Sequence, residues 1–392
     1  MLHAHCLNTL DYNTLTLCNG RHNTIHMRLL LFLLSLTFLS CQPENSSSPE
    51  NSTEEPVPIK VVVVTMFERG EAQGDQPGEL QYWVERFPLS TAIAFPQGNQ
   101  DLYYNEEQGV LAITTGVGSI NSAASIMALG MDPRFDLRQT YWVVAGIAGA
   151  DPEDMPLGSA AWAEWLVDGD LMHEIDGREI PTDWETGIFP LRETEPFPEK
   201  APNPESGAVF QLNPSLTEWA YQLTKSTQLE DTEDLQQLRI RYQNYPEAQR
   251  PPMVLKGDHI AAMTFWHGKM LNTWANRWVD YWTEGKGSFV TSAMEDTGTA
   301  QSLQFLDNAG KVDAHRLLVL RTASNFTMPP EDMTAAESMK NENSGYSAYI
   351  PSLEAAYLVG NKVVRTLLEN WEQYRDQLPS VEDLEPDMNQ SK

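Results

Sequence analysis

Four short runs of branched apolar residues restrict this chain more than any other feature. They are "IKVVVVTMF" (residues 59–67), "GVLAITTG" (109–116), "TYWVVAGIAG" (140–149) and "RLLVLRTASN" (316–325). Each is continuously apolar at its centre instead of alternating, so each reads as a strand buried on both faces. Such strands need helices above and below their sheet. "VGSINSAASIMAL" has the small residues and apolar spacing of a helix packed closely on a sheet. "IPSLEAAYLVGNKVVRTLLENWEQYR" closes the fold with apolar spacing of three and four, and Ser352 is its expected cap. The expected fold class is α/β, with three α/β/α layers around a central mixed, twisted sheet.

With 392 residues, 41% of them hydrophobic, the chain can bury a sizeable core. Residues 181–255 break the strand–helix rhythm. "PTDWETGIFPLRETEPFPEKAPNPESG" is Pro-rich and irregular, and "NPSLTEWAYQLTKST" then reads as a helix capped by Asn213 with Pro214 in its first turn. This stretch is expected to be an insertion on one face of a domain spanning 59–380, followed by an acidic tail over 381–392.

The start of the chain reads as a targeting segment. In "MRLLLFLLSLTFLSC" (27–41) the apolar run has the length of a secretory core and is too short to span a bilayer. Ser40-Cys41 resembles the cleavage and lipidation site of a bacterial lipoprotein; the alternative is an ordinary signal peptide with an unrelated Cys. Met27 reads as the true start, with residues 1–26 upstream sequence and 27–40 the signal peptide. Residues 41–58 would then be a lipidated Cys41 and a disordered tether rich in Ser, Pro, Asn and Glu. This organisation predicts an exported, periplasmic domain, held by its lipid at the outer membrane of a Gram-negative bacterium.

Other classes are set aside by what the sequence holds. The Cys residues, Cys6, Cys18 and Cys41, leave no disulfide or thiol nucleophile for the folded part. A formal net charge of −29 with no Lys/Arg-rich run opposes binding to nucleic acid or to an anionic lipid surface. No segment after Cys41 approaches 18 consecutive apolar residues, so none reads as a membrane-spanning helix. The eight His show no metal-ligand spacing.

Three Gly-containing segments follow buried strands: Thr115-Gly116-Val117-Gly118-Ser119, Ala145-Gly146-Ile147-Ala148-Gly149 and residues 66–74. Ligands of open α/β sheets bind beyond the carboxyl ends of strands, and N–H groups at a helix start favour anions or polar oxygens. Tight turns also use Gly with no ligand at all. "SAMEDTGTAQSL" (292–303) sets Glu295 and Asp296 among small and apolar residues, where they fit either a helix start or a buried hydroxyl-binding site.

The order and spacing of "TTGVGSINSAASIMAL", "VVAGIAGADPEDMPLGSAAWAEWLVDGDLMHEID", "SAMEDTGTA" and "LLVLRTASNF" resemble the nucleoside phosphorylase superfamily, and these blocks are most similar to 5′-methylthioadenosine/S-adenosylhomocysteine nucleosidases. Over roughly residues 59–375 the chain resembles the purine nucleoside permease family, through "KGDHIAAMTFWHGKMLN", "AMEDTGT" and "LRTASNFTMPPEDMTAAES". The resemblance implies a nucleoside phosphorylase-like fold, purine nucleosides as ligands, a role in their uptake, and cleavage of the N-glycosidic bond of nucleosidase or phosphorylase type. The alternative is a non-catalytic receptor that serves a separate inner-membrane transporter. A homo-oligomer is left open, since sites of the superfamily are often completed by a neighbouring subunit.

The resemblance also implies roles residue by residue. Met294-Glu295 falls where the superfamily meets ribose, and an ionised carboxylate offers two oxygens to a vicinal diol. Asn325, preceded by Ser324, falls where an Asp or Asn touches N7 of the purine; Asn donates a hydrogen bond there without supplying a proton. Phe265 or Trp266 would stack on the base, and His267 would reach the 5′ end of the ribose. Asp258, after Gly257, resembles a structural Gly-Asp of the family. The phosphate-binding Arg of related phosphorylases is replaced here by Val144. Phosphate as a co-substrate would rely on the Gly116, Gly118 and Ser119 turn, on Gly146 and Ala148, and on Arg69. Water would be activated by a Glu after the first strand, Glu71 or Glu68. No cofactor is implied.

Overall fold

The computed structural model describes residues 55–342 and 348–384. The four branched runs form the strands Val61–Thr65, Val110–Thr114, Tyr141–Ala150 and Leu317–Phe326. They lie side by side and parallel, with Tyr141–Ala150 between Val61–Thr65 and Leu317–Phe326. Among the described residues, twelve strands join this one mixed sheet. Leu102–Asn105 and Thr91–Ile93 extend it antiparallel beyond Val110–Thr114. On the other side, Gly149 and Ala150 pair antiparallel with Ser292 and Thr291 of the strand Phe289–Ala293. Asp258–Ala261 and Trp165–Asp168 follow in parallel, and Val209–Gln211 closes that edge antiparallel.

The branched runs are largely apolar because both of their faces are covered. Val61, Val63, Val143, Ala145, Leu318 and Leu320 share a core with Tyr357, Val363 and Leu367 of helix Tyr349–Glu369 and with Leu216 and Trp219 of helix Pro214–Thr224. The alternate residues, Val62, Val64, Trp142, Val144, Leu317 and Val319, pack with Ile126 and Leu129 of helix Ser119–Gly130 and with Leu303 and Leu306 of helix Asp296–Asn308. Successive residues of one strand therefore face opposite helical layers, which gives the three-layer α/β/α architecture expected from the sequence. Each such buried side chain contributes about 1.5–3 kcal/mol through removal from water.

The small residues of "VGSINSAASIMAL" serve a contact between helices. A Cβ on Gly298 would stand 2.4 Å from the Ser119 carbonyl oxygen, so helices Ser119–Gly130 and Asp296–Asn308 meet backbone to backbone at that point. Ser122 and Thr299 hydroxyls bridge the same seam at 2.7 Å. This close approach fixes the turn before one helix against the start of the other.

Two local expectations are corrected. The Gly-rich end of the third run is not a turn: Tyr141–Ala150 continues as strand through Gly146 and Gly149, because larger side chains cross there and need the space. A Cβ on Gly146 would meet Met66 Cε at 2.0 Å and Glu79 Oε1 at 2.7 Å. Ser352 does not cap its helix, which begins at Tyr349 and carries Pro351 in the first turn, where a missing N–H costs nothing; Ser352 Oγ donates to the Tyr349 carbonyl. The stretch 181–255 contributes the edge strand Val209–Gln211, and Val254–Lys256 at its end pairs with Ala160–Ala163; as expected, Asn213 caps helix Pro214–Thr224 by accepting from the Ser215 and Leu216 N–H groups.

The segment expected to be a signal peptide, Cys41 and most of the expected tether lie outside the described residues, as does the chain from 385 onward. Val57–Pro58 already pair in parallel with Phe135–Asp136. Among the described residues, no helix is long and apolar enough to cross a membrane.

Candidate functional site

The strands Tyr141–Ala150, Phe289–Ala293 and Leu317–Phe326 converge with the segment after Val61–Thr65 on a cavity of about 200 Å³. Met66, Glu79, Phe265, Trp266, Glu295 and Asn325 are among its lining residues.

Glu295 occupies the cap position of helix Asp296–Asn308, yet its side chain accepts no bond from that helix. It turns inward, 4% exposed, and Oε1 accepts from the Gly118 N–H at 3.0 Å. Oε2 accepts from Arg321 Nη2 at 3.0 Å and from the Met294 N–H at 3.2 Å. Oε1, with one donor, retains a lone pair for a ligand in the cavity.

Arg321 stands in the middle of a strand with no exposed residue. Its Nε donates to both Asp296 oxygens, at 3.1 and 3.2 Å, and Nη2 donates to Asp296 Oδ2 at 2.7 Å. Nη1 donates to the Ile147 carbonyl at 3.1 Å. Asp296 is fully buried: burial pushes its pKa up, but Arg321 and His259 outweigh that and hold it well below the usual carboxylate range. An apolar strand tolerates a guanidinium because each side of the fork has an acidic or carbonyl partner.

A third carboxylate completes the group. Glu79 folds back over the sheet, where Oε2 accepts from the Met66 N–H at 2.7 Å and Oε1 from the Ile147 N–H at 2.8 Å. Its pKa is pushed up to about 8, mainly by burial, with Arg321 opposing and nearby Glu295 adding to the rise. A carboxyl tuned to that value exchanges a proton near neutral pH.

The opposite wall is aromatic and amide. Phe265 is 57% exposed at the cavity rim, whereas Trp266 is half-buried against Trp274 and Phe289, with ring centroids 6.2 and 5.9 Å away. Asn325 Oδ1 accepts from Ser324 Oγ at 2.9 Å, and Nδ2 makes only a long 3.4 Å contact with the Phe326 carbonyl. That amide keeps an N–H for an acceptor in the cavity. A register shift between Ala323 and Asn325 marks a β-bulge, which turns both Ser324 and Asn325 onto the cavity wall.

Of the residues singled out from the sequence, the structure brings Met294, Glu295, Phe265, Trp266, Ser324, Asn325 and Ala148 to this cavity. Others are placed elsewhere. Glu68 accepts from the Leu80 and Gln81 N–H groups and so caps helix Gln81–Arg86; Glu71 is exposed. Arg69 stacks on the Tyr349 ring, 4.4 Å from its centroid. Gly118 directs its N–H to Glu295, and Gly146 packs beneath Glu79 and Arg321. Gly116 and Ser119 flank Val117, which does line the cavity. His267 is half-buried beside the Phe326 backbone, and burial lowers its pKa. Asp258 accepts from the Glu164, Trp165 and Ser288 N–H groups and so ties adjoining strands together.

Sequence reasoning passed over Glu79, Arg321, Asp296 as a partner, and His259. One signal was present: a lone Arg inside "LLVLRTASN" must be paired if that strand is buried, and "MED" supplies its acids.

Comparison with known proteins agrees with the sequence resemblance. A profile of the purine nucleoside permease (NUP) family matches residues 58–379. A purine nucleoside permease of Candida albicans is 31% identical over 276 residues, 69% of this chain and 67% of its own length. Similar solved structures include 5′-methylthioadenosine/S-adenosylhomocysteine nucleosidases. That of Helicobacter pylori has a TM-score of 0.47 at 14% identity, covering 79% of this chain and 99% of its own. That of Campylobacter jejuni has a TM-score of 0.45 at 13% identity, with the same coverage. With the family profile spanning nearly all of the folded part, and a relative of 31% identity matching most of it, the chain belongs to the purine nucleoside permease family.

Proposed function

We propose that the cavity binds a purine nucleoside and hydrolyses its N-glycosidic bond, in a protein that assists nucleoside uptake. The observation that carries this reading is the convergence of Glu79, Glu295 and Asn325 on one cavity. Glu295, paired with Arg321, faces the 2′ and 3′ hydroxyls of ribose as their acceptor. Phe265 and Trp266 cover the purine face. Ionised Glu79 takes a proton from a water molecule as its oxygen attacks C1′. The C1′–N9 bond breaks, its electron pair passes to the purine, and the Asn325 N–H stabilises that charge at a ring nitrogen.

Charge favours water over phosphate as the acceptor. Among the described residues lining the cavity, Arg321 is the single basic side chain, and its donors already face Glu295, Asp296 and the Ile147 carbonyl. Two like charges 4 Å apart repel by about 4 kcal/mol at an effective dielectric of 20, so a phosphate dianion beside Glu295 would be strongly opposed.

Asn325 has no acidic proton to give a leaving base, which favours a second reading: a receptor that holds the nucleoside for a separate transporter. Incubation with inosine, adenosine or guanosine, with and without phosphate, distinguishes these. Free base without phosphate supports hydrolysis, and base only with phosphate defeats it. Tight binding without release establishes the receptor.

A further inference from the structure

His259 is fully buried, on the strand Asp258–Ala261, in register with Thr291 of the adjacent strand. Its Nδ1 lies 3.0 Å from the Thr291 hydroxyl oxygen. On the other side, Nε2 stands 2.8 Å from Asp296 Oδ2. Nitrogen and carboxylate lone pairs repel at that separation, so the contact requires the ring proton on Nε2. The Thr291 hydroxyl faces Nδ1 and holds the ring in this orientation. Asp296 Oδ2 is thereby shared by His259 and Arg321, and Arg321 is shared by Asp296 and Glu295.

We propose that His259 is a positioning residue for the nucleoside cavity. By sharing Asp296 Oδ2 with Arg321 Nη2, it stops that carboxylate from drawing the whole guanidinium to itself. Arg321 Nη2 is thus kept within reach of Glu295, whose carboxylate stays aimed into the cavity. His259 touches no ligand; it acts through Asp296 and Arg321. As a reaction role this rests on the proposed hydrolysis, but the geometric claim stands apart from it.

His259→Phe keeps a ring of similar size and removes both nitrogens, His259→Gln keeps a donor toward Asp296, and Thr291→Val removes the hydroxyl. A crystal structure of the Phe variant is expected to show the Arg321–Glu295 contact, 3.0 Å in the native chain, opened beyond hydrogen-bonding range. In turnover, kcat/KM should fall about 10- to 100-fold in the Phe variant, as when a partner that orients a functional group is lost. The Gln variant should recover most of that loss at equal thermal stability, and the Val variant should lie between. A Phe variant with the Arg321–Glu295 contact intact overturns the proposal whatever its activity. If that variant does not fold, a Val variant with native turnover and the native contact overturns it. If the wild type releases no base, hydrolysis fails, and the positioning role is still decided by the Arg321–Glu295 separation.

Discussion

Gly118 and Glu295, 177 residues apart in the chain, are joined by one hydrogen bond of 3.0 Å from the Gly118 N–H to Oε1. Gly118 has φ of +92°, a conformation that a residue with a Cβ adopts only under strain. A turn N–H that could have cradled an anion instead orients a carboxylate. The Gly-rich turn and the acidic pair, which look like separate motifs in the sequence, are therefore one device.

Replacement of Glu295 by Gln removes the negative charge and leaves a single acceptor for two sugar hydroxyls. Hydrogen bonds to charged groups exceed neutral ones by about 1–1.5 kcal/mol each, so inosine affinity should weaken roughly 30- to 150-fold. Titration calorimetry with inosine and with its 2′,3′-dideoxy analogue checks this. The analogue should lose far less, and an equal loss for both would remove the diol from the interaction.

Glu79 predicts a pH dependence of definite sign. With its pKa raised to about 8, it is protonated at neutral pH, so base-assisted hydrolysis should rise as pH passes through about 8. That limb should vanish in Glu79→Gln. The folded state also binds this proton more tightly than the unfolded chain, whose Glu titrates near 4.5. Stability from this group is fully present below that value and is lost as pH rises toward 8. Thermal unfolding at several pH values should show Glu79→Gln gaining on the wild type as pH increases across this window.

Gly298→Ala should destabilise without touching the cavity. Its methyl group would lie 2.4 Å from the Ser119 carbonyl oxygen, a backbone atom that cannot rotate away. Overpacking of this kind costs about 1–3 kcal/mol. Denaturant unfolding checks the loss, and native stability would mean that the two helices can part at no expense.

The neighbouring aromatics should respond differently. Phe265→Ala should leave the melting temperature near native, since the ring is 57% exposed, while weakening nucleoside binding. Stacking of a base on an aromatic ring is worth about 1–3 kcal/mol. Trp266→Ala should weaken binding and also lower the melting temperature, because that indole packs on Trp274 and Phe289. Paired binding and melting measurements on both variants separate the two effects.

The central strands were legible because burial on both faces gives unbroken apolar stretches, as from Val61 to Val64 and from Leu317 to Leu320. Edge strands such as Thr91–Ile93, three largely exposed residues, carry no comparable pattern. Glu295 and Asn325 were legible as candidates because they end or follow buried runs. Glu79 was not, because it follows a polar loop well beyond the first strand and reaches the cavity only when the chain folds back onto Met66 and Ile147. Glu68 and Glu71 lie nearer in sequence, and proximity along the chain is a poor guide where a loop returns. Gly146 and Gly149 read as a turn because Gly usually marks one; here they are strand positions that make room for crossing side chains.

The irregularity at Ser324 has a further consequence. Because one extra residue is accommodated there, Ser324 and Asn325 face the same cavity. Deleting Ser324 would restore strict alternation, with Asn325 still opposite Gly149, and would take one of the two side chains off the cavity wall. The make-up of this part of the wall is therefore set by chain length at one point as much as by which amino acid stands there.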